Sequence, residues 1–166
     1  NNITTEQSLC FAIPETPNKE DIIINEVLFN SFDDTSADYI ELYNRSPKCI
    51  ELQQLFIGYG TEAMAEQWVQ ISPEGTLLLP QEYISICKNS KLTEEQYINA
   101  IHEQLIQNEE LPSLGNDSGT IYLTNNQGIE IDKFSYNENM HYPLLRSYDG
   151  VSLERIHSEA PTQNVN

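Results

Sequence analysis

The feature that most limits what this chain can become is its punctuation. Short runs rich in β-branched and aromatic residues are cut by turn formers about every 8 to 12 positions, the rhythm of an all-β sandwich or barrel. Ile22 to Phe29 reads Ile-Ile-Ile-Asn-Glu-Val-Leu-Phe, and a polar loop runs from Asn30 to Ser36. Asp38 to Tyr43 is the next strand, with Ile40 and Leu42 on one face and Tyr39, Glu41 and Tyr43 on the other. Asn44-Arg45-Ser46-Pro47-Lys48 is a turn by chemistry, since Asn tolerates the left-handed region and Pro presets its own dihedral. Further strands are predicted over 49–52, 55–59, 66–71, 76–79, 83–87, 120–124, 129–136 and 151–156. Asn125-Asn126-Gln127-Gly128 is a four-residue connector of hairpin type.

One stretch breaks the rhythm. Thr93-Glu94-Glu95-Gln96 has the capping-box form, and Tyr97, Ile101 and Leu105 follow at spacing four with Ile98 beside them. The pattern predicts one amphipathic helix over 93–107, inserted so that it covers an end or edge of the sandwich. Residues 1–19, ending Ile13-Pro14-Glu15-Thr16-Pro17-Asn18-Lys19, are polar and aperiodic and read as a linker. The domain is expected over 20–160, with 161–166 a truncated tail. A length of 166 residues suffices for one such domain with a real core.

Charge narrows the partners. Eight Lys and Arg against 26 Asp and Glu give a formal net charge of -18, which repels phosphate backbones and anionic lipid and concentrates cations. Nucleic acid is therefore not an expected partner. Hydrophobic residues at 39%, with nine Tyr, five Phe and one Trp, are too many for a disordered acidic chain, so the charge belongs to the surface of something folded. No apolar run reaches about 18 residues, so no membrane insertion is expected. The first residue is Asn where an open reading frame would start with Met, so a processed or excised product is expected, its signal peptide removed or lying outside this sequence. Cys10, Cys49 and Cys87 are odd in number and widely spaced, matching neither a disulfide framework nor a zinc site, and Cys49 and Cys87 read as small buried apolar residues.

Several motifs gain weight together. Ile24-Asn25-Glu26-Val27 precedes Asp38-Tyr39-Ile40-Glu41-Leu42-Tyr43-Asn44-Arg45-Ser46, and Leu52 opens the next strand after a short turn. Leu79-Pro80-Gln81-Glu82-Tyr83 is a proline turn into a strand, and Ser118-Gly119-Thr120-Ile121-Tyr122-Leu123 with Gly128 makes a late hairpin. Asp132-Lys133-Phe134-Ser135-Tyr136 and Gly150-Val151-Ser152-Leu153-Glu154-Arg155-Ile156 complete the set. From residue 20 to 157 the chain resembles the lamin tail domain in the form found in secreted bacterial proteins. That resemblance implies an immunoglobulin-like β-sandwich, a secreted or cell-surface location, and a binding or spacer role. Two departures stand out: the helix is longer than the compact pattern needs, and the usual closing Pro-Gly strand is absent before Asn166, so an edge strand is expected to be missing or supplied elsewhere.

Asn25, Glu26, Glu41 and Asn44 form the structural motif, and its carboxylates are expected to accept backbone N–H groups or to pair with Arg. Asp117-Ser118-Gly119 lacks both the residues of a catalytic triad and the nucleophile-elbow spacing, so it is a turn. His102, His141 and His157 have no companion at metal-ligand spacing. The metal candidate is calcium, which takes oxygen ligands without strict geometry, and Asp33, Asp34, Asp38 and Asp149 in two loops are its ligand set; the alternative is a solvated acidic surface. Trp68, Tyr136, Tyr142 and Tyr148 are either an exposed platform for carbohydrate or protein, or core and rim packing. The expected function is a noncatalytic interaction or spacer module with a protein or cell-envelope partner, not an enzyme, and without a cofactor unless calcium binds. The alternatives are a calcium- or carbohydrate-binding adhesion module, and a hydrolase whose acid and base come from Glu26, Glu41 or the Asp33/Asp34/Asp38 loop.

Overall fold

A computed structural model describes residues 12–32, 37–73 and 75–162. Among these residues eleven strands form two packed sheets and a small ribbon, the all-β, immunoglobulin-like sandwich expected. The first sheet runs β11-β1-β2-β7-β8, with β1 at Ile22–Leu28, β2 at Tyr39–Asn44, β7 at Tyr83–Cys87, β8 at Leu105–Gln107 and β11 at Leu153–Glu154. The second runs β10-β9-β4-β5, with β4 at Leu55–Gly60, β5 at Ala65–Gln70, β9 at Ser118–Asn125 and β10 at Glu130–Asn137. β3 (Ile50–Glu51) and β6 (Leu77–Leu78) pair apart from both.

The core is the alternation made physical. Ile22, Ile24, Ile40, Leu42, Ile84 and Ile86 of the first sheet face Leu55, Ile57, Val69, Ile121 and Leu123 of the second, all buried. Each such side chain contributes about 1.5–3 kcal/mol by leaving water. In β1 the alternation changes phase. Ile24 lies opposite Leu42 and Glu26 opposite Glu41, so Asn25 is the extra residue of a β-bulge. Ile22 and Ile24 point inward before it, and Val27 and Phe29 after it. The bulge turns both Asn25 and Glu26 toward the outer face.

The predicted helix is shorter and begins earlier. The helix α1 spans Ser90–Gln96 and is capped by Asn89, whose side chain accepts the Leu92 N–H at 3.1 Å. Thr93 lies inside it and donates its hydroxyl back to the Asn89 carbonyl at 3.0 Å, so it is not the cap. Tertiary pairing overrides the rest of the spacing-four pattern: Leu105, Ile106 and Gln107 become β8, parallel to Ser85, Ile86 and Cys87. Ile98 and Ile101 are left exposed.

The edge beside β1 is closed by side chains. The Ile24 N–H donates to Asp132 Oδ2 at 2.7 Å, and Arg155 Nη2 donates to the Ile24 carbonyl at 3.1 Å. A carboxylate and a guanidinium thereby do locally what the peptide groups of a neighbouring strand would do. Burial pushes the Asp132 carboxyl above its ordinary range.

Candidate functional site

Asn44 sits where β2 ends. It is fully buried, and its Nδ2 donates to the Lys48, Leu78 and Leu79 carbonyls at 2.8, 3.1 and 3.1 Å. Its Oδ1 accepts from the Ser46 N–H and hydroxyl at 3.1 and 2.7 Å. Its carbonyl accepts the Gln81 N–H at 2.8 Å. Gln81 has φ 65°, the left-handed position that follows Pro80 in a tight turn. Asn44 therefore pins the turn after β2 to the proline turn before β7. Arg45 donates to the Glu20 carbonyl and pairs with the Glu20 carboxylate, both at 2.7 Å.

Three residues upstream the same strand does something different. Strand register sets Glu154, Glu26, Glu41, Ser85 and Leu105 in one row across the outer face of the first sheet. Three carboxylates thus stand on adjacent strands. Glu26 accepts from the Tyr39 hydroxyl at 2.6 Å and from the Ser152 hydroxyl. Glu41 accepts from Asn25 Nδ2 at 2.8 Å and from the Ser85 hydroxyl at 3.5 Å. These donors are uncharged side chains, in place of the backbone N–H groups or Arg expected from the motif. Among the described residues no Lys or Arg forms an ion pair with any of the three. Burial raises the Glu41 carboxyl above its ordinary value, and the charges of Glu26 and Glu154 raise it further.

The row floors a groove of about 720 Å³, bounded by Tyr83 and Gln104 and by residues 155–159. A second recess of about 250 Å³ shares Glu26, Glu41 and Gln104 and is walled by Tyr97, Asn99 and Ile101. The stretch predicted as the second half of a helix is therefore a wall of the groove. Tyr97 meets Tyr39 edge-on with ring centres 5.7 Å apart, and Tyr83 stacks on Tyr43 at 4.4 Å. Glu154 and Arg155 were not singled out for a role from sequence. Alternation in the run 151–156 could have found Glu154, since it sets Leu153 inward and Glu154 outward.

The calcium set is only partly described. Asp33 and Asp34 lie outside the described residues. Asp38 Oδ1 accepts the Ser31 N–H at 3.2 Å, and Asp149 Oδ1 accepts Asn30 Nδ2 at 2.9 Å. Asn30 joins the two loops, its carbonyl also taking the Gly150 N–H at 2.7 Å. Among the described residues no three His, Cys, Asp or Glu side chains are grouped so as to hold a metal ion.

The four aromatics do not make one platform. Tyr136 is buried and stacks on Phe29 at 4.4 Å, whereas Tyr148 stacks on His141 at 4.9 Å. Trp68 is half exposed on edge strand β5, and Tyr142 follows β10 at the other edge of that sheet. Cys49 and Cys87 are buried as expected, and burial pushes the Cys87 thiol up. Cys10 lies outside the described residues. Ser118 opens β9 opposite Asn137. His102 is exposed and paired with Glu94, which raises its pKa. Among the described residues no helix is long and apolar enough to cross a membrane.

The family model described as Lamin Tail Domain matches residues 15–138, well over half of the chain. No curated protein matches the chain.

Proposed function

We propose that this chain, which belongs to the lamin tail domain family, is a noncatalytic interaction module of a larger secreted or cell-surface protein, and that its acidic groove docks a basic segment of a protein partner. Domains of this family are immunoglobulin-like and typically serve interaction in place of catalysis. One observation carries the proposal: Glu154, Glu26 and Glu41 stand side by side, and among the described residues no Lys or Arg is paired to them. Like charges directly opposite on paired strands are destabilising. A fold keeps such a row against its own stability where a ligand supplies the missing charge. The net charge of -18 steers a cationic partner toward the module and repels nucleic acid.

A hydrolase would draw on the same carboxylates. Glu26 and Glu41 are each held by two donors in an open groove, an arrangement that supports binding over proton transfer. The test is titration with acetylated, amidated hexapeptides carrying Lys in a Gly-Ser frame, followed by amide shift mapping at low and high salt. Shifts centred on residues 25–26, 41 and 154 that fade with salt are expected. Shifts spread evenly over the acidic surface, or turnover of model glycosides or esters, would overturn the reading.

A further inference from the structure

We infer that the groove continues into an anchor pocket, and that its occupant is an extended peptide carrying a basic residue close to a large apolar one. This rests on the groove being a docking site. A pocket of about 420 Å³ opens where β11 and β1 face β10. Ile24, Val27, Phe134, Leu153 and Pro161 line it, and Ile24 and Val27 are core residues only 3% and 1% exposed. Core side chains thus form the back wall of the pocket at this edge. Pocket and groove share Asn25, Glu154, Arg155, Ile156 and His157, so the two adjoin along this segment.

Arg155 stands at the junction with its side chain 7% exposed. Its Nη1 donates to the Ala160 carbonyl and its Nη2 to Ile24 and Thr162, but its Nε–H has no acceptor among the described residues. A buried N–H without an acceptor is a standing cost. A backbone carbonyl of an incoming chain is the kind of acceptor that this N–H lacks.

These features ask for three things together: a cation for the carboxylate row, an apolar group for the pocket, and a neutral acceptor for Arg155. An anionic amphiphile is opposed by the row and by the net charge. A free cation leaves the pocket unfilled, and an apolar molecule leaves the row unneutralised. A polypeptide with Lys or Arg near Leu or Trp supplies all three, its backbone carbonyl being the acceptor.

The probes are the same Gly-Ser hexapeptides, now with Trp, Leu or Ala placed at each spacing from the Lys. At the best spacing, Trp or Leu is expected to tighten binding about tenfold or more over Ala. Ala160→Trp, which fills the pocket from its covering segment, should erase that advantage and leave the salt-sensitive part. Amide shifts at Val27, Phe134 and Leu153 in the unaltered protein give a second measurement that needs no variant to fold. Equal binding of Ala, Leu and Trp peptides with the salt dependence intact would sink the anchor and leave the groove standing. Apolar peptides binding without regard to Lys or salt would overturn both the shared occupant and the acidic reading. Silence from every peptide would overturn both.

Discussion

Glu41 and Asn44 lie three residues apart on β2, in one motif, yet their surroundings are opposites. Asn44 has its side-chain donors and acceptor engaged in a fully buried hub. Glu41 faces Glu26 across a strand pair with Glu154 beyond it, and its carboxyl is held above its ordinary value. Buried polar groups that are satisfied hold a fold to one structure. A polar row that the fold does not neutralise marks where something else is meant to arrive. The same short motif thus supplies both a clamp and the carboxylate row proposed to bind a partner.

The hub should break first. Asn44→Ala strands three carbonyls and two donors, and urea unfolding is expected to show a loss of about 3–5 kcal/mol. A loss under about 1 kcal/mol would mean that water replaces the clamp and the contrast is false. Next comes the edge clasp. Asp132→Ala leaves the Ile24 N–H without its acceptor and the buried Arg155 guanidinium without its ion-pair partner, and should cost about 3 kcal/mol by the same measurement.

The groove should respond with the opposite sign. Glu41→Gln removes a charge from the row and is expected to stabilise the fold at neutral pH by roughly 0.5–1 kcal/mol. Glu41 titrates higher in the folded chain than in the unfolded one, so its favourable contribution is present below the unfolded value and lost as pH rises through the folded value. The gain from Glu41→Gln should therefore be full at neutral pH and shrink as pH falls toward the ordinary carboxylate range. A gain that does not change with pH would remove the electrostatic explanation. Smallest of all, Glu154→Lys at the exposed edge should add about 0.2–1 kcal/mol and lose it in high salt.

Much of the fold was legible because it rests on patterns a sequence displays directly. Turn residues mark the strand ends, and inward positions such as Ile40 and Leu42 alternate as a half-buried strand requires. The helix was misread because Tyr97, Ile101 and Leu105 fit a helical spacing, whereas β7 offers Leu105 and Ile106 backbone partners that no local rule contains. The motif residues Glu26 and Glu41 were visible as a pair. Their confrontation was not, since it depends on the bulge at Asn25, and Glu154 joins them only through pairing across more than a hundred residues. The change of phase from Ile22 and Ile24 to Val27 and Phe29 was the one trace of that bulge in the sequence itself.

The most direct test joins stability and binding in one protein. The variant Glu26→Gln, Glu41→Gln, Glu154→Gln is compared with a control in which Glu109, Glu110 and Glu103, all exposed, become Gln. Both lose equal charge, so a difference between them belongs to the row. Thermal unfolding of the groove variant is expected to rise by a few degrees, about 2–4 °C per kcal/mol gained, while the Lys peptides bind about tenfold or more weakly than to the control. A groove variant that is less stable than the control, or that binds the peptides as well as the control does, would contradict the account.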